Sequence, residues 1–137
     1  MSLMTDCGEL NVEAAERLTF NVQPLLHEIR HGLAQLLENN TSTTIDLRSI
    51  PLAPGEEQEI IDTLGVGEIR AQLSALGPSE IMETRFPGVW LVTHSNSNGE
   101  VIGRFIEVCD MPRLLLAQAE DIRDGLARLE QELEKSE

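Results

Sequence analysis

The hydrophobic period of this chain changes twice, and that limits the folds open to it more than any single motif does. From Val22 onward, Leu25, Leu26, Ile29, Leu33, Leu36 and Leu37 recur at helical spacing, the stripe of an amphipathic helix. Ile69, Ala71, Leu73 and Ala75 then alternate with Glu68, Arg70, Gln72 and Ser74, the two-residue period of a strand with one wet face. After Pro112, the residues Leu115, Ala119, Ile122, Leu126, Leu129 and Leu133 return to steps of four and three. Helical stripes at both ends and alternation between them predict an α+β domain.

Local signals fill in the order. Pro24 suits a first helical turn, and the polar run Glu38 to Ser42 ends that helix. Thr43 to Leu47 reads as a short strand rich in β-branched residues, followed by a loop bracketed by Pro51 and Pro54. Gly55 to Leu64 forms a second helix: Glu56 and Glu57 suit its positive N-terminal end, and Gly65 supplies the stop. Gly77-Pro78 turns the chain, and strands follow over Ser79 to Phe86, Val89 to His94 and Val101 to Val108, with a turn at Asn96 to Gly99. The expected architecture is a two-layer sandwich. It has a mainly antiparallel sheet, one short strand plus a four-strand meander, with two or three helices on one face. The last stripe covers fewer than three heptads, so that helix is expected to pack on its own sheet, with a partner helix as the alternative. Residues 1–20 lack a strong period and are expected to be a poorly ordered arm, leaving a single domain over 21–137.

Charge excludes some functions. Twenty-four acids against ten bases give a formal charge of −14, which repels a phosphate backbone, so nucleic acid is not an expected partner. Either the acidity serves solubility alone or it presents a face to a basic partner. No run of about 18 apolar residues or basic-then-apolar leader is present, so a cytoplasmic chain without a membrane span is expected. Cys7 and Cys109 lie far apart, outside any Cys-x-x-Cys spacing, and read as reduced thiols.

The sharpest chemical motif is His27-Glu28-Ile29-Arg30-His31, which fits the H-E-x-x-H pattern of zinc hydrolases. With Ile29 at zero and about 100° per residue, the apolar stripe spans roughly −40° to +80°, whereas His27 and His31 fall near 160° and 200°. Both point away from the core, and the remaining histidine, His94, lies in the hairpin. His27 and His31 are therefore weak metal candidates. Ser79 and the other serines show no G-x-S-x-G setting, and Cys109 has no histidine near it in sequence. Asp46 and Arg48 suit a loop brace at a strand end better than acid–base work. No catalytic residue, metal or cofactor is assigned.

The central hairpin is apolar on both sides. Val89 and Leu91 point one way and Trp90 and Val92 the other. The second face is covered either by loops and the 1–20 arm or by another chain, a homodimer included. A purely structural oligomerisation module is thus one reading of the domain.

Several segments in order, LLHEIRHGLAQLL (25–37), TIDLRSIPLAPG (44–55), LGVGE (64–68), ETRFPGVWLVTH (83–94) and FIEV (105–108), resemble the hydrogenase expression proteins HupH and HyaF. The likeness is to their C-terminal conserved region and covers roughly residues 22 to 130. It implies a cytoplasmic, non-enzymatic accessory or chaperone-type factor for maturation of nickel-iron uptake hydrogenases, acting on the iron-sulfur small-subunit precursor before export. In related systems such a factor is paired with a thioredoxin-like accessory protein. The resemblance brings no catalytic residues. The partner-binding residues expected from the hairpin are Phe86, Pro87, Trp90, Val92, His94 and Arg104, with Trp90, Val92 and Arg104 on the second sheet face. Acidic surface is expected to help hold a basic twin-arginine signal segment.

Overall fold

The computed structural model describes residues 21–74 and 77–136, so the expectation of a disordered 1–20 arm lies outside the described residues. Helix α1 spans Val22–Asn39. Its N-cap residue, Asn21, ties the helix start to the later loop by donating its side-chain amide to the Pro51 carbonyl at 3.0 Å. Its C-terminus closes on Asn40 in the left-handed region at φ 56°. There the Asn40 and Thr41 amides bond back to Leu36 and Gln35, satisfying carbonyls that the helix itself cannot.

Strand β1 (Thr43–Asp46) ends in a 3₁₀ turn whose Arg48 amide donates to Asp46 Oδ1 at 2.9 Å, so Asp46 braces the loop as its position suggests. Helix α2 runs Glu56–Leu64. Glu56 and the Ala53 backbone hold its entry reciprocally: the Ala53 amide donates to Glu56 Oε1 at 2.8 Å, and the Glu56 amide to the Ala53 carbonyl at 3.0 Å. This explains why a carboxylate is buried there.

Four strands follow: β2 (Arg70–Leu73), β3 (Ser79–Glu83), β4 (Val89–Ser95) and β5 (Val101–Val108). They form a meander, and β1 adds beside β5, giving the antiparallel order β1-β5-β4-β3-β2. Helices α1 and α2 lie on one face. Between them and the sheet sits the larger core, with Leu25, Ile29, Ile60, Leu64, Leu91 and Ile106 at its centre. Full burial of each such side chain contributes about 1.5–3 kcal/mol. The expected α+β architecture is therefore the observed one.

Two expectations fail. Helix α3 (Ala119–Lys135) has no buried residue, so it does not pack on its own sheet. Its stripe of Ile122, Leu126, Leu129 and Leu133 is 58–60% exposed. The second correction concerns Arg104. Register pairs it with Thr93 and pairs Phe105 with Val92. Because neighbours along a strand alternate sides, Arg104 lies on the helix face, opposite to Trp90 and Val92. There its guanidinium meets Glu57 Oε2 of α2 at 2.6 Å, while Glu57 Oε1 lies 3.5 Å from Arg48.

Candidate functional site

The second sheet face carries Ile81, Trp90 and Val92, which pack with Cys109 against Ala71, Leu73, Phe105 and Leu115. Trp90 is only 2% exposed and Val92 fully buried. The Trp90 indole N–H donates to the Cys109 carbonyl at 3.1 Å, a bond that a buried indole needs. Trp90 and Val92 are thus interior side chains, and a partner does not reach them in this form of the domain.

Of the hairpin residues singled out in the sequence, Phe86 at the β3–β4 turn is 41% exposed and Pro87 is also exposed. Backbone and Thr84 hold this turn. Thr84 Oγ1 donates to the Val89 carbonyl at 2.8 Å and accepts from the Phe86 amide at 3.2 Å. Gly88 sits at φ 94°, and a Cβ there would come 3.2 Å from Leu33 Cδ2 of α1. Only glycine combines that backbone conformation with that approach at little cost.

The Leu64-Gly65-Val66-Gly67-Glu68 segment locks onto the same turn from the other side. The Arg85 amide donates to the Leu64 carbonyl at 2.8 Å, and the Gly67 amide to the Glu83 carbonyl at 2.7 Å. A Cβ on Gly65 would fall 2.5 Å from Arg85 Cγ, and one on Gly67 would strike the Thr84 carbonyl oxygen. Close packing against backbone thus requires Gly67, while Gly65 is required by its left-handed backbone at φ 68°. The Arg85 guanidinium donates to the Thr63 carbonyl at 2.8 Å and lies 5.0 Å from the Phe86 ring centroid, within cation–π range.

Between α1 and this turn lies an apolar groove of about 290 Å³, lined by Leu26, Ile29, Arg30, Leu33, Thr63, Leu64 and Phe86. All of its lining except Thr63 comes from three of the segments singled out in the sequence, 25–37, 64–68 and 83–94. Sequence reasoning assigned the α1 leucines wholly to the core and so missed the groove.

The other candidates are dispersed. His27, Glu28 and His31 are exposed on α1, as the helical wheel requires, and no group of three or more His, Cys, Asp or Glu among the described residues is placed to hold a metal ion. His94 Nδ1 lies 2.7 Å from Ser79 Oγ and the imidazole meets the Phe105 ring edge-on at 5.7 Å. Sequence spacing gave no hint of this Ser–His contact, because antiparallel register alone brings the two together. Burial first, then Glu107 and Asp110, pushes the Cys109 thiol up to about 11, which leaves it protonated and a poor nucleophile at neutral pH. Burial also raises the Glu107 carboxyl above the ordinary range, with His94 opposing. No helix among the described residues is long and apolar enough to cross a membrane.

Comparison with known proteins converges on one family. The family described as "HupH hydrogenase expression protein, C-terminal conserved region" matches residues 19–136. The chain is 30% identical over 109 residues to the hydrogenase expression/formation protein HupH of Rhizobium leguminosarum bv. viciae, covering 80% of this chain and 39% of that protein. It is 29% identical over 111 residues to HoxQ of Azotobacter vinelandii, with the same coverages. It thus spans about two-fifths of the length of these curated relatives. Among solved structures, the hydrogenase expression protein HupH of Thiobacillus denitrificans superposes with a TM-score of 0.81 at 38% identity, over 85% of this chain and 98% of that one. The chain belongs to the HupH hydrogenase expression protein family, whose C-terminal conserved region it carries.

Proposed function

We propose that this domain works by binding rather than by chemistry, as a cytoplasmic accessory factor in the maturation of a nickel-iron uptake hydrogenase. In this reading its client is the iron-sulfur small-subunit precursor, held before export. The observation that carries it is the apolar groove beneath Phe86, whose lining except Thr63 comes from three of the segments that carry the family likeness. An apolar stretch of the client seats its side chains against Leu26, Leu33, Leu64 and Phe86. A site that is apolar at its centre with a few polar groups at its rim, here Arg30 and Thr63, suits such a ligand. The formal charge of −14 favours a client whose flanking residues are basic, such as a twin-arginine signal segment, chiefly by speeding encounter. Within the family assignment, a thioredoxin-like accessory protein is the second expected partner.

The test is capture of the small-subunit precursor from cells expressing the hydrogenase operon, comparing the wild-type chain with Phe86→Ala. Lone Trp90 is buried and reports by its fluorescence that the variant is folded. Capture should fall at least about tenfold, the loss expected when a central aromatic anchor is truncated. Undiminished capture by folded Phe86→Ala would remove the groove from the contact.

A further inference from the structure

Helix α3 presents an apolar stripe that no described residue covers. Ile122, Leu126, Leu129 and Leu133 are 58–60% exposed, and a 17-residue helix with Gly125 at its middle is near the limit of what persists in water unpacked. The stripe therefore calls for a second surface. Its steps of four and three define heptad positions: Ala119, Leu126 and Leu133 at a, Ile122 and Leu129 at d. The flanking e positions then hold Arg123 and Glu130, and the g positions Gly125 and Glu132.

We propose that α3 pairs with α3 of a second copy of this chain in an antiparallel two-helix contact. In that arrangement Leu126 packs against Leu129 of the partner subunit, and Ile122 against the partner's Leu133, giving four apolar layers over the whole helix. Arg123 then faces the partner's Glu130, and twofold symmetry makes this pair occur twice. The g positions bring Gly125 opposite the partner's Glu132, so no like charges meet along the seam. A parallel pairing loses both attractive contacts, since its g-to-e pairs are Gln118 with Arg123 and Gly125 with Glu130. Antiparallel packing also opposes the two helix dipoles.

The remaining acids of α3 fall on the outward positions and stay in water. Area sets the strength. Each striped side chain hides on the order of 100 Å², and with its flanks the contact buries roughly 1,000 Å² in total, the lower bound for a specific interface. The dimer is accordingly expected to be concentration-dependent, with dissociation in the micromolar range. This contact is independent of the groove beneath Phe86, which lies on α1 and the β3–β4 turn.

Sedimentation equilibrium of the 137-residue chain, under reducing conditions and across low to high micromolar concentration, tests the proposal. The wild type should shift from monomer to dimer, and Leu126→Glu should stay monomeric with its far-ultraviolet spectrum otherwise folded. Arg123→Glu should weaken the dimer at least about tenfold by setting like charges against each other twice, and adding Glu130→Arg to the same chain should restore it. A wild-type chain that stays monomeric throughout overturns the proposal. A dimer indifferent to Leu126→Glu, or a double swap that fails to restore association, overturns it equally.

Discussion

Replacing Trp90 by Phe separates an interior tryptophan from one held out for a partner. Trp90 is 2% exposed and its indole N–H donates to the Cys109 carbonyl at 3.1 Å. Phenylalanine keeps an aromatic ring against Ile81 and Val92 but has no donor, so the Cys109 carbonyl loses the indole bond, at about 1–3 kcal/mol. The smaller ring also leaves a void of on the order of 40 Å³, which at about 24 cal/mol per Å³ adds about 1 kcal/mol. The sum is a loss of about 2–4 kcal/mol, a fall in melting temperature of roughly 10 °C for a domain of this size. Because the lone tryptophan is removed, the assay is urea unfolding followed by far-ultraviolet circular dichroism, with the slope checked for constancy between wild type and variant. A loss below about 0.5 kcal/mol, the range of ordinary surface changes, would refute the placement of Trp90 in the interior.

Three further outcomes follow from the same geometry. Gly88→Ala should cost about 1–2 kcal/mol, because φ is 94° and the new Cβ meets Leu33 at 3.2 Å; thermal unfolding measures it, and an unchanged midpoint contradicts the turn geometry. Burial raises the Glu107 carboxyl, so the folded chain holds that proton more tightly than the unfolded one. Its contribution to stability therefore falls as pH rises from the ordinary carboxylate value through the raised one. Glu107→Gln should accordingly gain on the wild type in urea midpoints as pH rises above the ordinary carboxylate value, and a pH-independent difference would contradict this. The purified chain should carry no stoichiometric zinc, and metal present at one equivalent but lost in His31→Ala would reinstate the HEIRH helix as a metal site.

The elements that could be read from sequence are those whose period is enforced by a single core. Helix α1 has a stripe set against the helix-side core and β2 an alternating face set against the second-face cluster, so in each pattern and packing agree. Helix α3 shows the limit: its spacing announces an apolar stripe, but spacing does not say what the stripe packs on. Arg104 was placed on the wrong face for a different reason. The register shifts between His94 and Ser95, and a one-residue slip in a hairpin carries every side chain to the other side. Trp90 was legible as distinctive but not as interior, since its cover comes from residues distant in sequence, Cys109 and Leu115 among them. The groove beneath Phe86 was hidden for a related reason. Pro87-Gly88 reads only as a break in a strand until Leu33 of α1 is brought against it.

Binding of a hydrogenase small-subunit precursor in the groove between α1 and the Phe86 turn is the proposed role of this HupH-family domain. Titration of the purified chain with purified precursor, followed by calorimetry, tests it most directly. The account predicts saturable one-to-one binding per domain that Phe86→Ala weakens at least about tenfold and that Leu126→Glu on α3 leaves unchanged. Absence of binding, or binding that Phe86→Ala leaves intact, would contradict it.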